Sequence, residues 1–401
     1  MIYLHVPFCG SFCTYCDFYS EICRSRQAFN EYADAVIAEI RDRRKELEMN
    51  MSAQDAVNTL YIGGGTPSVL PLDVLSRIVG AVSQTERLSL VTERLSLVTE
   101  QLSLVTEPVE VTTPTGLFDE FTVEVNPEDI VEKGREYVRG LLALGVNRIS
   151  MGIQSFNDDI LRWMNRRHDA GNAVKAFHIL RESGVRNISI DLIFGISQLT
   201  DETWKDTIEK ALELSPEHIS AYQLSIEEGS ALAKMVADGR YVEASEEQCR
   251  RQYDILCRCL GRSGYHHYEI SNFAKPGFEA VHNSAYWRRA PYIGLGPGAH
   301  SLTGNVRSWN SPELPHRSPD GSSATYSRTS ETLSPEDIRV ERIMLSLRTD
   351  KGLKATELYS LTDSTVVDAL LSEGALERQG ASIRIPEDHL FTSDEILREL
   401  I

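Results

Sequence analysis

Cysteine is scarce in this chain, seven in 401 residues. The count is odd and the spacing uneven, which excludes a secreted disulfide framework. No apolar run reaches the roughly 20 residues needed to span a bilayer. Basic residues are in deficit as well: 41 Lys and Arg stand against 59 Asp and Glu, a formal net charge of −18. Such a field repels phosphate backbones and argues against nucleic acid as a partner. The N-terminus has neither the charged segment nor the apolar segment of a secretory signal. These absences together predict a soluble cytoplasmic protein with no membrane span. A hydrophobic content of 41% over this length can bury a large core, divided between one big domain and a smaller one.

Four of the few cysteines fall within the first 23 positions, in YLHVPFCGSFCTYCDF and shortly after it. Cys9, Cys13 and Cys16 form C-x3-C-x2-C directly behind the strand-like run IYLHV. Three thiolates on one tight loop suit a compact soft-metal site. With Cys23 as a fourth ligand the site would be a structural zinc. With three alone it would hold a [4Fe–4S] cluster with one iron open to a ligand. Spacing leaves both readings open.

Beyond the loop, short apolar strands alternate with amphipathic helices. Strands are predicted at 2–6, 58–64, 120–127, 147–156, 187–195 and 218–226, with helices at 28–48, 71–83, 134–144, 170–183 and 202–213. Parallel neighbours require crossovers, so this rhythm predicts an α/β fold with a parallel sheet. Polar residues gather at strand C-terminal ends (Glu124, Gln154, Asp191), which favours a partial (β/α)6 TIM-like barrel over an open doubly wound sheet. The core is expected over 1–307. Residues 85–115 interrupt it with the repeats TERLSLV TERLSLV TEQLSLV, which read as an inserted surface loop. A Ser, Pro and Thr-rich linker is expected at 308–331, then a small helical or winged-helix-like domain at 332–401. Cys249, Cys257 and Cys259 lie on a helical stretch and read as buried small hydrophobes. In GYHHYEI, strand alternation sends His266 and His267 to opposite faces, a structural role.

After the second strand, YIGGGTPS supplies a turn in which glycines permit positive φ and close backbone approach to a ligand. Combined with C-x3-C-x2-C, it resembles the radical S-adenosylmethionine (SAM) family. In that family the open iron chelates SAM, and the reduced cluster cleaves the sulfonium to a 5′-deoxyadenosyl radical. The ordered series YLHVPFCGSFCTYCDF, YIGGGTPS, EVNPE, SMGIQSF, DLIFGI and GLGPGAHS is similar, over roughly residues 1–305, to the oxygen-independent coproporphyrinogen III oxidase group. The resemblance implies that Cys9, Cys13 and Cys16 hold the cluster, with Tyr3 beside the sulfonium. It implies Gly64, Gly65 and Thr66 around the methionine moiety with Glu124 nearby. Gln154, Arg166 and Asp191 would contact ribose and carboxylate.

Within that group, three features resemble the HemW-type heme chaperones. Only eight residues precede the first cysteine, where the oxidases carry a long extension. Asp17-Phe18 follows Cys16, where the oxidases have a further cysteine. HNSAYW (282–287) matches a motif associated with heme, offering His282 as an axial ligand and Tyr286 and Trp287 for stacking. The resemblance therefore implies a chaperone that binds heme and delivers it to acceptor proteins, with an electron donor for the cluster. The alternative is the enzyme of porphyrin biosynthesis that oxidatively decarboxylates coproporphyrinogen III to protoporphyrinogen IX.

Overall fold

The computed structural model describes residues 1–53, 56–84, 117–313 and 326–401. The TERLSLV repeats lie outside the described residues.

Six strands run parallel in chain order: β1 Ile2–Val6, β2 Thr59–Gly64, β3 Glu120–Val125, β4 Arg148–Gln154, β5 Ile188–Phe194 and β6 His218–Gln223. Three short strands extend the sheet: β7 His266–Glu269, β8 Asn272–Ala274 and β9 Ile293–Leu295. The order is β9-β1-β2-β3-β4-β5-β6-β8-β7, with β8 antiparallel to β6 and β9 parallel to β1. No pairing joins β7 to β9 among the described residues, so the curved sheet is a partial barrel.

Helices return the chain between strands: α1 Arg26–Asp42, α2 Leu72–Ser83, α3 Pro127–Ala143, α4 Ala170–Glu182 and α5 Asp201–Leu214, with α6 Glu246–Arg262 beyond β6. Ser25, Asn126, Asp169, Thr200 and Ser245 cap five of them by accepting a hydrogen bond from a first-turn backbone N–H. The helix expected at 28–48 divides at Arg43, and the one expected from 134 begins at Pro127 with a kink at Gly134. Asp191 is not at a strand end but midway along β5, where its neighbours in sequence are buried and apolar. The mid-strand position turns its carboxylate into the barrel interior.

The stretch expected as a linker differs from that expectation at both ends. Val306–Asn310 pairs antiparallel with His300–Thr303 and with Arg328–Thr332, a three-stranded sheet that absorbs 308–310 and 328–331. Residues 335–384 then follow the order helix, strand, two helices, two strands, which is winged-helix-like, and a 3-10 turn (Glu387–Thr392) and a last helix (Ser393–Leu400) close the unit. Ile343, Leu347, Leu358, Val367 and Ile383 fill its interior. Glu341 joins this unit to the barrel by accepting from both Arg289 and Arg307 at 2.6 Å.

Candidate functional site

The cysteine loop leaves the C-terminal end of β1. Phe8–Cys9 pairs with Glu21–Ile22 and closes the loop at its base. Its far side is tied to the segment after β4: Thr14 donates from its backbone N to Met164 O (3.0 Å) and from Oγ1 to Trp163 O (2.9 Å), and Asn165 Nδ2 donates to Phe12 O (2.6 Å). Cys9, Cys13 and Cys16 all face a cavity of about 580 Å³ in the barrel interior. Burial pushes the Cys9 thiol up and the Cys16 thiol to about 11. A bound cation would reverse that by stabilising thiolates. Cys23 is not among the lining residues; its Sγ accepts from Ser25 N at 3.4 Å and its side chain packs on the core.

The glycine turn folds against this loop. Gly65 N donates to Val6 O (2.8 Å) and Thr66 N to Phe8 O (2.7 Å). A Cβ on Gly65 would stand 2.6 Å from Phe8 O and 3.0 Å from Cys9 Sγ, so only glycine permits this approach. Gly64 has φ +111° and donates its N–H to Glu124 Oε2 at 3.2 Å. Tyr61 Oη donates to Glu124 Oε1 at 2.7 Å, and burial lifts this carboxyl to about 7. Tyr3 Oη and His5 Nδ1 lie 3.1 Å apart. Gln154 ends β4 after a bulge with φ +69°, a strained conformation for a residue with a side chain. Asp191 accepts from Ser150 Oγ at 3.2 and 3.3 Å, and burial raises its pKa.

Two adjacent arginines are separated by their partners. Arg167 forms ion pairs with Asp129 at 2.9 Å and Glu128 at 3.1 Å on α3. Arg166 points along the cavity, its Nη1 3.2 Å from Cys13 Sγ and its Nη2 2.6 Å from Gly152 O, while its buried Nε has no partner. Asn165, with φ +56°, turns the chain between the Phe12 anchor and Arg166.

HNSAYW follows β8. It lies in the short helix Val281–Trp287, and His282, Asn283 and Tyr286 line the same cavity as the cysteines. His282 is only 2% exposed. Its Nδ1 lies 2.8 Å from Thr59 Oγ1 and its Nε2 3.3 Å from Tyr286 Oη, so neither ring nitrogen is free. Burial pulls its pKa to about 3, leaving a neutral imidazole. Trp287 is not among the lining residues. Apart from Trp287, the residues singled out in the sequence for cluster, SAM and heme thus surround one cavity. Tyr61, which holds Glu124, and Arg148, at the start of β4, were missed; a lone charge in the apolar run NRISMGI was the available signal for the second.

The Radical SAM superfamily profile matches residues 3–211. The heme chaperone HemW of Bacillus subtilis is 32% identical over 353 residues, 88% of this chain and 84% of the relative. That of Mycobacterium tuberculosis is 30% identical over 409 aligned positions, 100% of this chain and 94% of the relative. In fold, the chain is similar to the Escherichia coli coproporphyrinogen III oxidase, described as a radical SAM enzyme, with TM-score 0.74, 20% identity and coverage of 99% and 89%. The chain belongs to the radical SAM superfamily and, within it, to the family of the heme chaperone HemW.

Superfamily membership implies a [4Fe–4S] cluster and SAM. The site fits both. Its donor set is three clustered free thiols, soft ligands suited to iron–sulfur, and Arg166 Nε and the glycine turn face the space beside them.

Proposed function

We propose that the protein binds heme and passes it to an acceptor protein, holding a [4Fe–4S] cluster and SAM as it does so. One observation carries the reading: the HNSAYW helix and the three cysteines, far apart in sequence, face a common cavity. Cys9, Cys13 and Cys16 hold the cluster, which when bound supplies an electron from a donor protein to the SAM sulfonium. Gly64, Gly65 and Thr66 present backbone to the methionine moiety of SAM. Arg166 offers forked donors to its carboxylate, and Asp191 and Gln154 offer polar groups to its ribose. Glu124 and Tyr3 complete the enclosure. His282 in its neutral form has the protonation state of a heme ligand. The longer of its two hydrogen bonds, to Tyr286, is the one that iron would displace.

The reading assigns residues 1–307, which carry every lining residue of the cavity, to cofactor and heme binding. Seven free cysteines suit a reducing compartment, and the place of action we propose is the cytoplasm. Among the described residues, no helix is long and apolar enough to cross a membrane.

The test is to reconstitute the cluster anaerobically, titrate the protein with heme, and assay it with coproporphyrinogen III, SAM and a reductant. The reading expects a saturable Soret band and no protoporphyrinogen. Turnover of coproporphyrinogen would replace the chaperone with the oxidase.

A further inference from the structure

Besides Arg166, the cavity contains a second arginine whose Nε lacks a partner. Arg148 opens β4 at the end opposite the cysteine loop, is 3% exposed, and lines the cavity. Its Nε has no hydrogen-bond partner, and no ion pair engages its guanidinium among the described residues. A guanidinium carries five donors and stays charged at any ordinary pH. Leaving it buried without a hydrogen-bonded anion is costly unless something else occupies the space beside it.

The acidic groups around it are committed elsewhere. Glu120 accepts from the backbone N of Val281 at 2.8 Å and of His282 at 2.9 Å, anchoring the HNSAYW helix. Asp191 is held by Ser150 and Glu124 by Tyr61 and Gly64. These carboxylates supply a favourable field without filling the fork. That geometry selects a ligand which brings its own carboxylate, because two parallel N–H···O bonds match the guanidinium plane.

We propose that Arg148 is the docking point for a carboxylate of the organic ligand held at the HNSAYW end of the cavity. Resting on the heme reading above, this group is a propionate of the porphyrin. Arg166, at the cysteine end, serves the SAM carboxylate instead. A propionate on Arg148 would fix the porphyrin's rotation relative to His282 and so decide which edge of the macrocycle faces the cluster.

The experiment compares heme, heme dimethyl ester and SAM as ligands of the reconstituted protein and its Arg148→Gln and Arg148→Lys variants. Heme is followed in the Soret band and SAM by equilibrium binding, with melting temperature and cluster absorbance recorded for each variant. Loss of a charge-assisted hydrogen bond predicts that Arg148→Gln weakens heme by roughly ten- to a hundredfold. Arg148→Lys should lose less, because it keeps the charge and gives up the fork. The ester should bind the wild type and Arg148→Gln alike, and SAM affinity should not change. If Arg148→Gln does not fold, the wild type alone decides, since equal affinity for heme and its ester overturns the assignment. Unchanged heme binding in a folded Arg148→Gln overturns it while leaving the heme reading intact. A wild type that binds no heme overturns that reading. The carboxylate then has SAM as its source if Arg148→Gln weakens SAM, and the docking role falls if it does not.

Discussion

The two ends of the cavity are built on opposite plans. At the cysteine end the groups are uncommitted: three thiols carry no disulfide, Arg166 Nε has no partner, and Gln154 is held in a strained turn. Phe12 and Phe18, 49% and 65% exposed, leave its rim apolar and open. At the HNSAYW end, Arg148 apart, the groups are committed: His282 has both nitrogens engaged, and Glu120 anchors the helix backbone. Strain and unsatisfied groups persist where a ligand completes them. The open end is therefore ready for its cofactor, whereas the closed end must exchange an internal hydrogen bond for its ligand.

Breaking the open end should have the largest effect. Cys9→Ala, Cys13→Ala and Cys16→Ala should each abolish the visible charge-transfer absorption of the reconstituted cluster, because each removes a thiolate ligand. Cys23→Ala should retain it, since Cys23 lies outside the cavity lining. Equal loss in Cys23→Ala would point to a four-cysteine site.

A subtler break is Gly65→Ala, whose Cβ would press on Phe8 O and Cys9 Sγ. Moving that backbone should cost about 1–3 kcal/mol and lower cluster content and SAM affinity together. Normal loading, measured as iron per chain, would show that the turn does not support the cysteine loop.

At the closed end, Glu120→Gln removes a charged acceptor from two backbone N–H groups. Stability should fall by about 1–3 kcal/mol in denaturant unfolding, with cluster content retained. Simultaneous loss of the cluster would mean that the two ends are not separate in energy.

The smallest effect is on pH dependence. Burial lifts Glu124 to about 7, so the folded protein keeps a proton that the unfolded chain releases near pH 4.3. Stability from this group is complete below that value and is lost as pH rises through about 7. Glu124→Gln should flatten the fall in unfolding free energy across this window by about one proton. An unchanged slope would place the titration elsewhere.

Much of this was legible in the sequence, and what was not has identifiable causes. The strand and helix rhythm located the six strands that run parallel in chain order because their apolar runs are short and separated by capped helices, while β9, also parallel, is too short to show that rhythm. Asp191 was read at a strand end because an acid inside a buried strand contradicts the apolar pattern; Ser150 on the neighbouring strand is what accommodates it. Arg166 and Arg167 look equivalent in RWMNRRH, and the distant pair Glu128 and Asp129 on α3 distinguishes them. Likewise the state of His282 depends on Thr59, 223 residues away. Arg148 starts its strand, away from the C-terminal strand ends where polar residues mark a barrel mouth, so its position in the sequence does not point to the cavity. Long-range partners decide what a side chain is free to do, and no local spacing encodes them.

The HNSAYW helix and the cysteine loop face one cavity, and as the proposed sites of heme and cluster they should act as separate ends of it. A heme titration of reconstituted wild type and His282→Ala, read in the Soret region with the cluster absorbance recorded in the same sample, tests it most directly. The account predicts that His282→Ala shifts or abolishes the Soret band and leaves the cluster spectrum unchanged. Undiminished heme binding with the same Soret position, or loss of the cluster along with the heme, would contradict it.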